Sequence, residues 1–138
     1  VSWLKRQPKQ HASVEAQANT RIEKGRLGED IAVEHLASKG YRIIERNFRC
    51  KLGEIDIIAE HDGEVVFVEV RSRQSDSTFD PAYSINYRKQ QKVIRAAQVY
   101  LSKRYQRMPA ARFDVVLVDV GRRLEVEIIR DAFGADGY

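Results

Sequence analysis

Asp62 and Gly63 stand between two runs rich in β-branched residues, 54–60 and 64–73. Glycine takes positive φ without strain, so this dipeptide is suited to a two-residue hairpin loop. Such a loop fixes the pairing. His61 faces Glu64, Asp56 faces Glu69 and Glu54 faces Arg71. Side chains alternate along a strand, which puts Glu54, Asp56, Glu69 and Arg71 on one sheet face with Ile58, Val65 and Phe67. Ile55, Ile57, Ala59, Val66, Val68 and Val70 take the other face, an apolar core surface.

Directly opposed side chains have Cβ atoms about 4.5–5.5 Å apart, where like charges destabilise the pair. Asp56 and Glu69 therefore need a compensating feature. A shared hard cation such as Mg²⁺ supplies one, since it takes carboxylate oxygens together with water and substrate phosphate. A raised pKa on one member supplies another. A solvent-exposed ion-pair cluster is the third, and the apolar residues on the same face weigh against it.

The rest of the chain frames the hairpin. Residues 23–39 read as a helix with Gly25, Glu29, Ala32, Val33 and Leu36 on one stripe, flanked by Leu27 and Ile31, and Gly40 as its stop. Glu29 on an inward stripe is either a third carboxylate brought over the sheet or an acidic residue stabilising the helix N-terminus. Gly25 and Gly28 permit close approach to another backbone. A strand over 41–48 precedes the hairpin, and a polar loop over 72–85 follows it. A second helix over 86–106 turns Val93, Ala96, Ala97, Tyr100 and Leu101 inward. Two strands close the chain, 115–118 and 124–129, the former apolar enough to be covered on both faces. The expected order is α-β-β-β-α-β-β. Residues 1–20 read as a flexible N-terminal tail, 21–134 as one domain and 135–138 as a C-terminal tail.

Length, charge and cysteine content narrow the function classes. A chain of 138 residues suits one domain. No apolar run approaches the roughly 20 residues that cross a bilayer, and residues 1–20 lack the apolar core of a signal peptide. Cys50 is the only cysteine, so neither an internal disulfide nor a cysteine-based zinc cluster can form. The expected address is the cytoplasm, with no membrane partner. Net charge is +4, but residues 86–107 alone hold seven basic residues and no acidic one. A basic stripe on a chain otherwise at −3 suits phosphate binding, though a solvated helix face has the same composition. Four minor candidates have plainer roles. His61 reads as solvated beside the turn, Asp114 as a cap or ion-pair partner, and Tyr83 and Tyr87 as packing residues that could also stack on bases.

Gly25-Arg26-Leu27-Gly28-Glu29-Asp30, Gly53-Glu54-Ile55-Asp56-Ile57-Ile58 and Val66-Phe67-Val68-Glu69-Val70-Arg71-Ser72-Arg73 together resemble the YraN family of bacterial proteins. That family resembles a branch of the PD-(D/E)XK nuclease superfamily, similar to archaeal Holliday-junction resolvases. The resemblance implies an α/β, restriction-endonuclease-like fold: a mixed β-sheet flanked by helices. It also implies a Mg²⁺- or Mn²⁺-dependent endonuclease hydrolysing DNA phosphodiester bonds, on branched or junction DNA in the resolvase-like members. By the same resemblance the catalytic positions are Asp56, Glu69, Arg71 and Glu29, with Asp56, Glu69 and Glu29 as metal ligands. Lys89 and Gln90 open the later helix at positions that contact nucleic acid. Arg73, Arg88, Lys92 and Arg95 extend that basic surface. Junction resolution implies a homodimer, for which the 124–129 strand edge is a candidate; RNA stays open as a second substrate. Ile55 replaces the superfamily proline, and Arg71 replaces its lysine. Arginine stays charged and cannot act as a base. The alternative is accordingly a non-catalytic DNA-binding or protein-interaction module on the nuclease fold.

Overall fold

The computed structural model describes residues 14–73 and 85–134, without the side chains of 14–24. Of the expected tail over 1–20, residues 1–13 lie outside the described residues and 14–20 belong to the first helix; Tyr83, residues 135–138 and most of the 72–85 loop also lie outside the described residues. Elements follow the order α1 (Val14–Ser38), β1 (Arg42–Cys50), β2 (Gly53–His61), β3 (Glu64–Arg73), α2 (Tyr87–Arg104), β4 (Ala111–Val120) and β5 (Leu124–Phe133). One five-stranded mixed sheet has spatial order β1-β2-β3-β4-β5. Its β3–β4 pair is parallel and the other three pairs are antiparallel. Parallel neighbours need a long crossover, and α2 lies on it.

The hairpin turn forms as expected. Asp62 and Gly63 both take positive φ, 51° and 76°, the conformation required at both centres of a type I′ turn. The ladder starts at His61↔Glu64 and runs to Ile57↔Val68. There it stops, although β2 continues to Gly53 along β1 and β3 to Arg73 along β4. The expected direct pairs Asp56–Glu69 and Glu54–Arg71 are therefore not ladder pairs. The two strands separate just before reaching them.

The sheet is covered on both faces. On the α2 side, Ile58, Val65, Phe67, Val115 and Leu117 pack with Val93, Ala97 and Tyr100. On the α1 side, Ile57, Ala59, Val66, Val68, Val116 and Val118 pack with Ala32 and Leu36. The five inward residues expected of the second helix are all buried, and Ile94 joins them. Ile55 departs from its expected face. It packs on the α2 side while Ile57 packs on the α1 side, so the two-residue alternation breaks at Asp56. Asn47 on the adjoining strand has φ 55°, and the β1–β2 register passes from Arg46↔Ile57 to Phe48↔Ile55. Both strands are irregular at this one level.

The first helix begins at Val14, nine residues before the expected start at Glu23. Glu15-Ala16-Gln17-Ala18 are good helix formers, but they carry no apolar stripe for a periodicity criterion to detect. The buried line of the helix is Gly28, Ala32 and Leu36, with Gly25 and Leu27 exposed. Gly28 is the close-approach glycine, because a Cβ there would lie 2.1 Å from Ser72 Oγ.

Gly53 seats the other helix, which the sequence did not indicate. An added Cβ would come within 2.6 Å of the Lys92 carbonyl oxygen, a backbone atom that cannot rotate away. Gly53→Ala is expected to cost about 1–3 kcal/mol, as overpacking does. Gly25→Ala, with nothing within 4 Å, should instead gain about 0.5–1 kcal/mol from helix propensity. Urea midpoints of the two variants check both signs.

Candidate acidic site at the parting of two strands

Where β2 and β3 separate, Asp56 replaces part of the missing ladder. Its Oδ2 accepts a hydrogen bond from the Val70 backbone N–H at 2.8 Å. A carboxylate here ties the strands together without a β2 carbonyl. Glu69, one residue earlier on β3, is buried and points to the α2 side. Its Oε1 stands 3.4 Å from Lys89 Nζ, while its Oε2 is buried with no hydrogen-bond partner among the described residues. Buried polar atoms are nearly always satisfied, so this oxygen is suited to a ligand.

The two carboxyls influence one another. Burial pushes Glu69 up to about 7, with the Asp56 charge adding to the rise and Lys89 and Arg71 opposing it. Burial also raises Asp56, the Val70 N–H opposes that, and Glu29 adds to it. A carboxyl raised from 4.5 to about 7 binds more protons folded than unfolded between those values. Its contribution to stability therefore falls as pH rises through that window. Glu69→Gln is expected to remove this decline, leaving the variant more stable than wild type above pH 7 by roughly 3 kcal/mol and equal to it near pH 4. Urea unfolding at stepped pH measures the crossing.

Glu29 approaches from α1 but is held by other partners. Its Oε1 accepts from Arg46 Nε at 3.0 Å and from Asn47 Nδ2 at 3.1 Å. It lines a cleft of about 640 Å³ with Asp56, Arg26, Asn47, Arg49 and Ser72. Among the described residues no group of three or more His, Cys, Asp or Glu is placed to hold a metal. Asp56 and Glu69 remain as a pair of candidate oxygen donors, and Mg²⁺ is often held by one or two carboxylates together with water and phosphate. The orphaned Oε2 and the all-oxygen donor set fit such an ion.

The remaining predicted residues divide by position. Lys89 reaches the site, and the helix N-cap Asn86 accepts from its backbone N–H. Gln90 does not join it; its Nε2 donates to the Ile85 carbonyl at 2.7 Å and secures the chain entering α2. Arg71 is half-buried and its charge acts on Glu69. Arg73 is paired with Asp119 at 3.3 Å. Arg88, Lys92 and Arg95 are exposed along α2. Tyr87 is 63% exposed, so the packing role expected of it is not the one it has.

A second polar centre sits under α1, at the start of β4. Asp114 is fully buried and accepts from Tyr41 Oη at 2.7 Å, from Arg112 Nε at 3.0 Å and from the Asp131 N–H at 3.0 Å. This bears out its expected role as a pairing residue. His61, expected to be solvated, is instead stacked on the Tyr41 ring at 3.9 Å, with Nδ1 2.7 Å from Arg112 Nη2. Sequence reasoning missed Arg112, because a charged residue at a strand start reads as surface. Although burial disfavours its charge, hydrogen bonds to Asp114 and Tyr41 hold Arg112 more firmly protonated than a free guanidinium.

Fold and site together define a mixed α/β protein with an acidic pair at the opened end of its central hairpin. Residues 28–118 match the profile described as uncharacterised protein family UPF0102, and the chain belongs to that family. A UPF0102 protein of Persephonella marina is 52% identical over 95 residues, covering 69% of this chain and 82% of the relative. One from Moorella thermoacetica is 45% identical over 117 residues, covering 83% and 98%. One from Desulfosudis oleivorans is 47% identical over 118 residues, covering 86% and 95%. The profile spans Glu29, Asp56, Glu69, Arg71 and Lys89. Among the described residues no helix is long and apolar enough to cross a membrane.

Proposed function

We propose that this protein is a divalent-metal-dependent endonuclease that hydrolyses DNA phosphodiester bonds, with Asp56 and Glu69 holding Mg²⁺ or Mn²⁺. The observation that carries the proposal is the pair itself: a half-buried and a buried carboxyl at the parting of β2 and β3, with Glu69 Oε2 left without a partner among the described residues. The resemblance to PD-(D/E)XK nucleases, with their resolvase-like branch, supports it. A bound divalent ion lowers the pKa of its water and polarises the phosphate.

The chain's own residues do the rest. Asp56, anchored by the Val70 N–H, is held in one orientation, as a ligand must be. Lys89, 3.4 Å from Glu69 Oε1, favours the charged form of that carboxyl and presents an ammonium to the substrate phosphate. Arg71 stays charged at every relevant pH and stabilises negative charge developing on the phosphoryl oxygens. Glu29 contributes its charge to Asp56 from the cleft side and, with Arg46 and Asn47, fixes the neighbouring β1 irregularity. The exposed basic row of α2 positions the DNA backbone without reading sequence.

Arg71 also favours a second role, a non-catalytic DNA-binding module, because no lysine stands at that position to act as a base. Incubating the purified chain with four-way junction, flap, nicked, single-stranded and linear duplex DNA separates the two. Cutting in Mg²⁺ or Mn²⁺ but not in EDTA is the expected result, and the preferred DNA names the task. Binding retained in EDTA, with no cutting in any metal, would establish the second role instead.

A further inference from the structure

The acidic pair is approached from two sides. Glu69 and Lys89 belong to the α2 side, whereas Asp56 lines the cleft between α1, β1 and the opened end of β2. A phosphodiester seated between Asp56 and Glu69 must have its neighbouring phosphates on both. The α2 side carries the exposed basic row. The α1 side has cations of its own. Arg26 is exposed, lines the cleft and makes no ion pair among the described residues. Arg49 lines it too, paired with Glu54 at 3.4 Å with side chains 75% and 52% exposed. Such an exposed pair contributes little and can exchange its carboxylate for a phosphate, which suits the guanidinium fork equally well.

The carboxylates of this cleft are held by groups other than Arg26 and Arg49: Glu29 accepts from Arg46 and Asn47, and Asp56 accepts from the Val70 N–H. Gly25 leaves the helix bare at the rim, with open space where a side chain would stand. The close seat of Gly28 on Ser72 sets α1 beside the cleft. A volume of about 640 Å³ falls in the range of ligand sites.

We infer that this α1-side cleft is a phosphate-binding subsite for a nucleic-acid strand, with Arg26 and Arg49 neutralising phosphates that flank the one at Asp56 and Glu69. The inference rests on the nucleic-acid reading of the acidic pair and deepens it: the strand crosses the separated ends of β2 and β3 and is gripped from both helices. It also distinguishes two kinds of basic residue, those of α2 that position the strand on one side and the two arginines that hold it on the other.

The test is binding in EDTA, where nothing is cut, using labelled single-stranded DNA, duplex DNA and RNA of one sequence across a salt series. Wild type, Arg26→Ala/Arg49→Ala and Lys92→Ala/Arg95→Ala are compared. Each lost phosphate contact reduces the salt slope by about 0.7 to 0.9. The arginine double variant is expected to lose about 1.4 to 1.8 from its slope and to bind roughly 25- to 60-fold more weakly at ~0.1 M salt. The nucleic acid that shows this loss is the cleft's ligand. An arginine double variant with the slope and affinity of wild type would overturn the subsite while leaving the nuclease reading standing. Wild type that binds none of the three would overturn both. All four side chains are exposed, so folding is preserved, which circular dichroism checks.

Discussion

Asp114→Ala is expected to cost about 3–5 kcal/mol, because it leaves a buried cation without its main partner. The Arg112 side chain is only 5% exposed, and its other carboxylate, Glu64 at 3.1 Å, is one-third exposed. The same change strands the Tyr41 hydroxyl and the Asp131 N–H, each of which donates to Asp114. A small domain has about 5–15 kcal/mol in total, so the variant sits near the threshold of folding. Arg112→Ala/Asp114→Ala should be less damaging than the sum of its single changes, since removing both charges leaves no buried ion. A double-mutant cycle by urea denaturation measures that coupling, and additive losses would show that the two side chains act independently.

The second large effect is on activity. Asp56→Asn keeps an oxygen able to accept from the Val70 N–H but loses the charge. Its fold should persist, and its stability should rise, because burial and the neighbouring Glu29 charge both penalise the native carboxylate. Cleavage should fall by about three orders of magnitude, the upper range for removing one electrostatic group from an active centre. A more stable and less active variant is what a site holding like charges together predicts. Loss of activity accompanied by loss of fold would instead mark Asp56 as a strand tie and no more.

The elements of this structure that follow local rules could be read from the chain. The Asp62-Gly63 turn fixed five ladder pairs, and α2 showed its buried face through Val93, Ala96, Ala97, Tyr100 and Leu101. The strand 115–118 proved to be covered on both faces, although it is longer than its apolar core suggests. Period-two reasoning failed at Asp56. There a side chain takes over a backbone hydrogen bond, Asn47 enters the left-handed region, and Ile55 crosses to the other face. No propensity encodes that exchange, because it depends on two strands separating in space. Glu29 sits near Asp56, but its partners Arg46 and Asn47 come from a strand whose irregularity is tertiary. The Arg112–Asp114–Tyr41–His61 centre joins residues up to 73 positions apart, and nothing in a linear reading brings them together. The seat of α2 on Gly53 is hidden for the same reason: only a close backbone across the gap explains the missing side chain.

If Glu69, with one oxygen unpartnered among the described residues, works with Asp56 on a phosphodiester bond, truncating it must stop the cutting without stopping the binding. The deciding measurement is the single-turnover rate of DNA cleavage in Mn²⁺ for wild type and Glu69→Ala purified in parallel, on whichever DNA wild type cuts best. The expected result is metal-dependent cutting by wild type and its loss in a folded Glu69→Ala protein that still binds the DNA. Equal rates for the two proteins would contradict the assignment of this site.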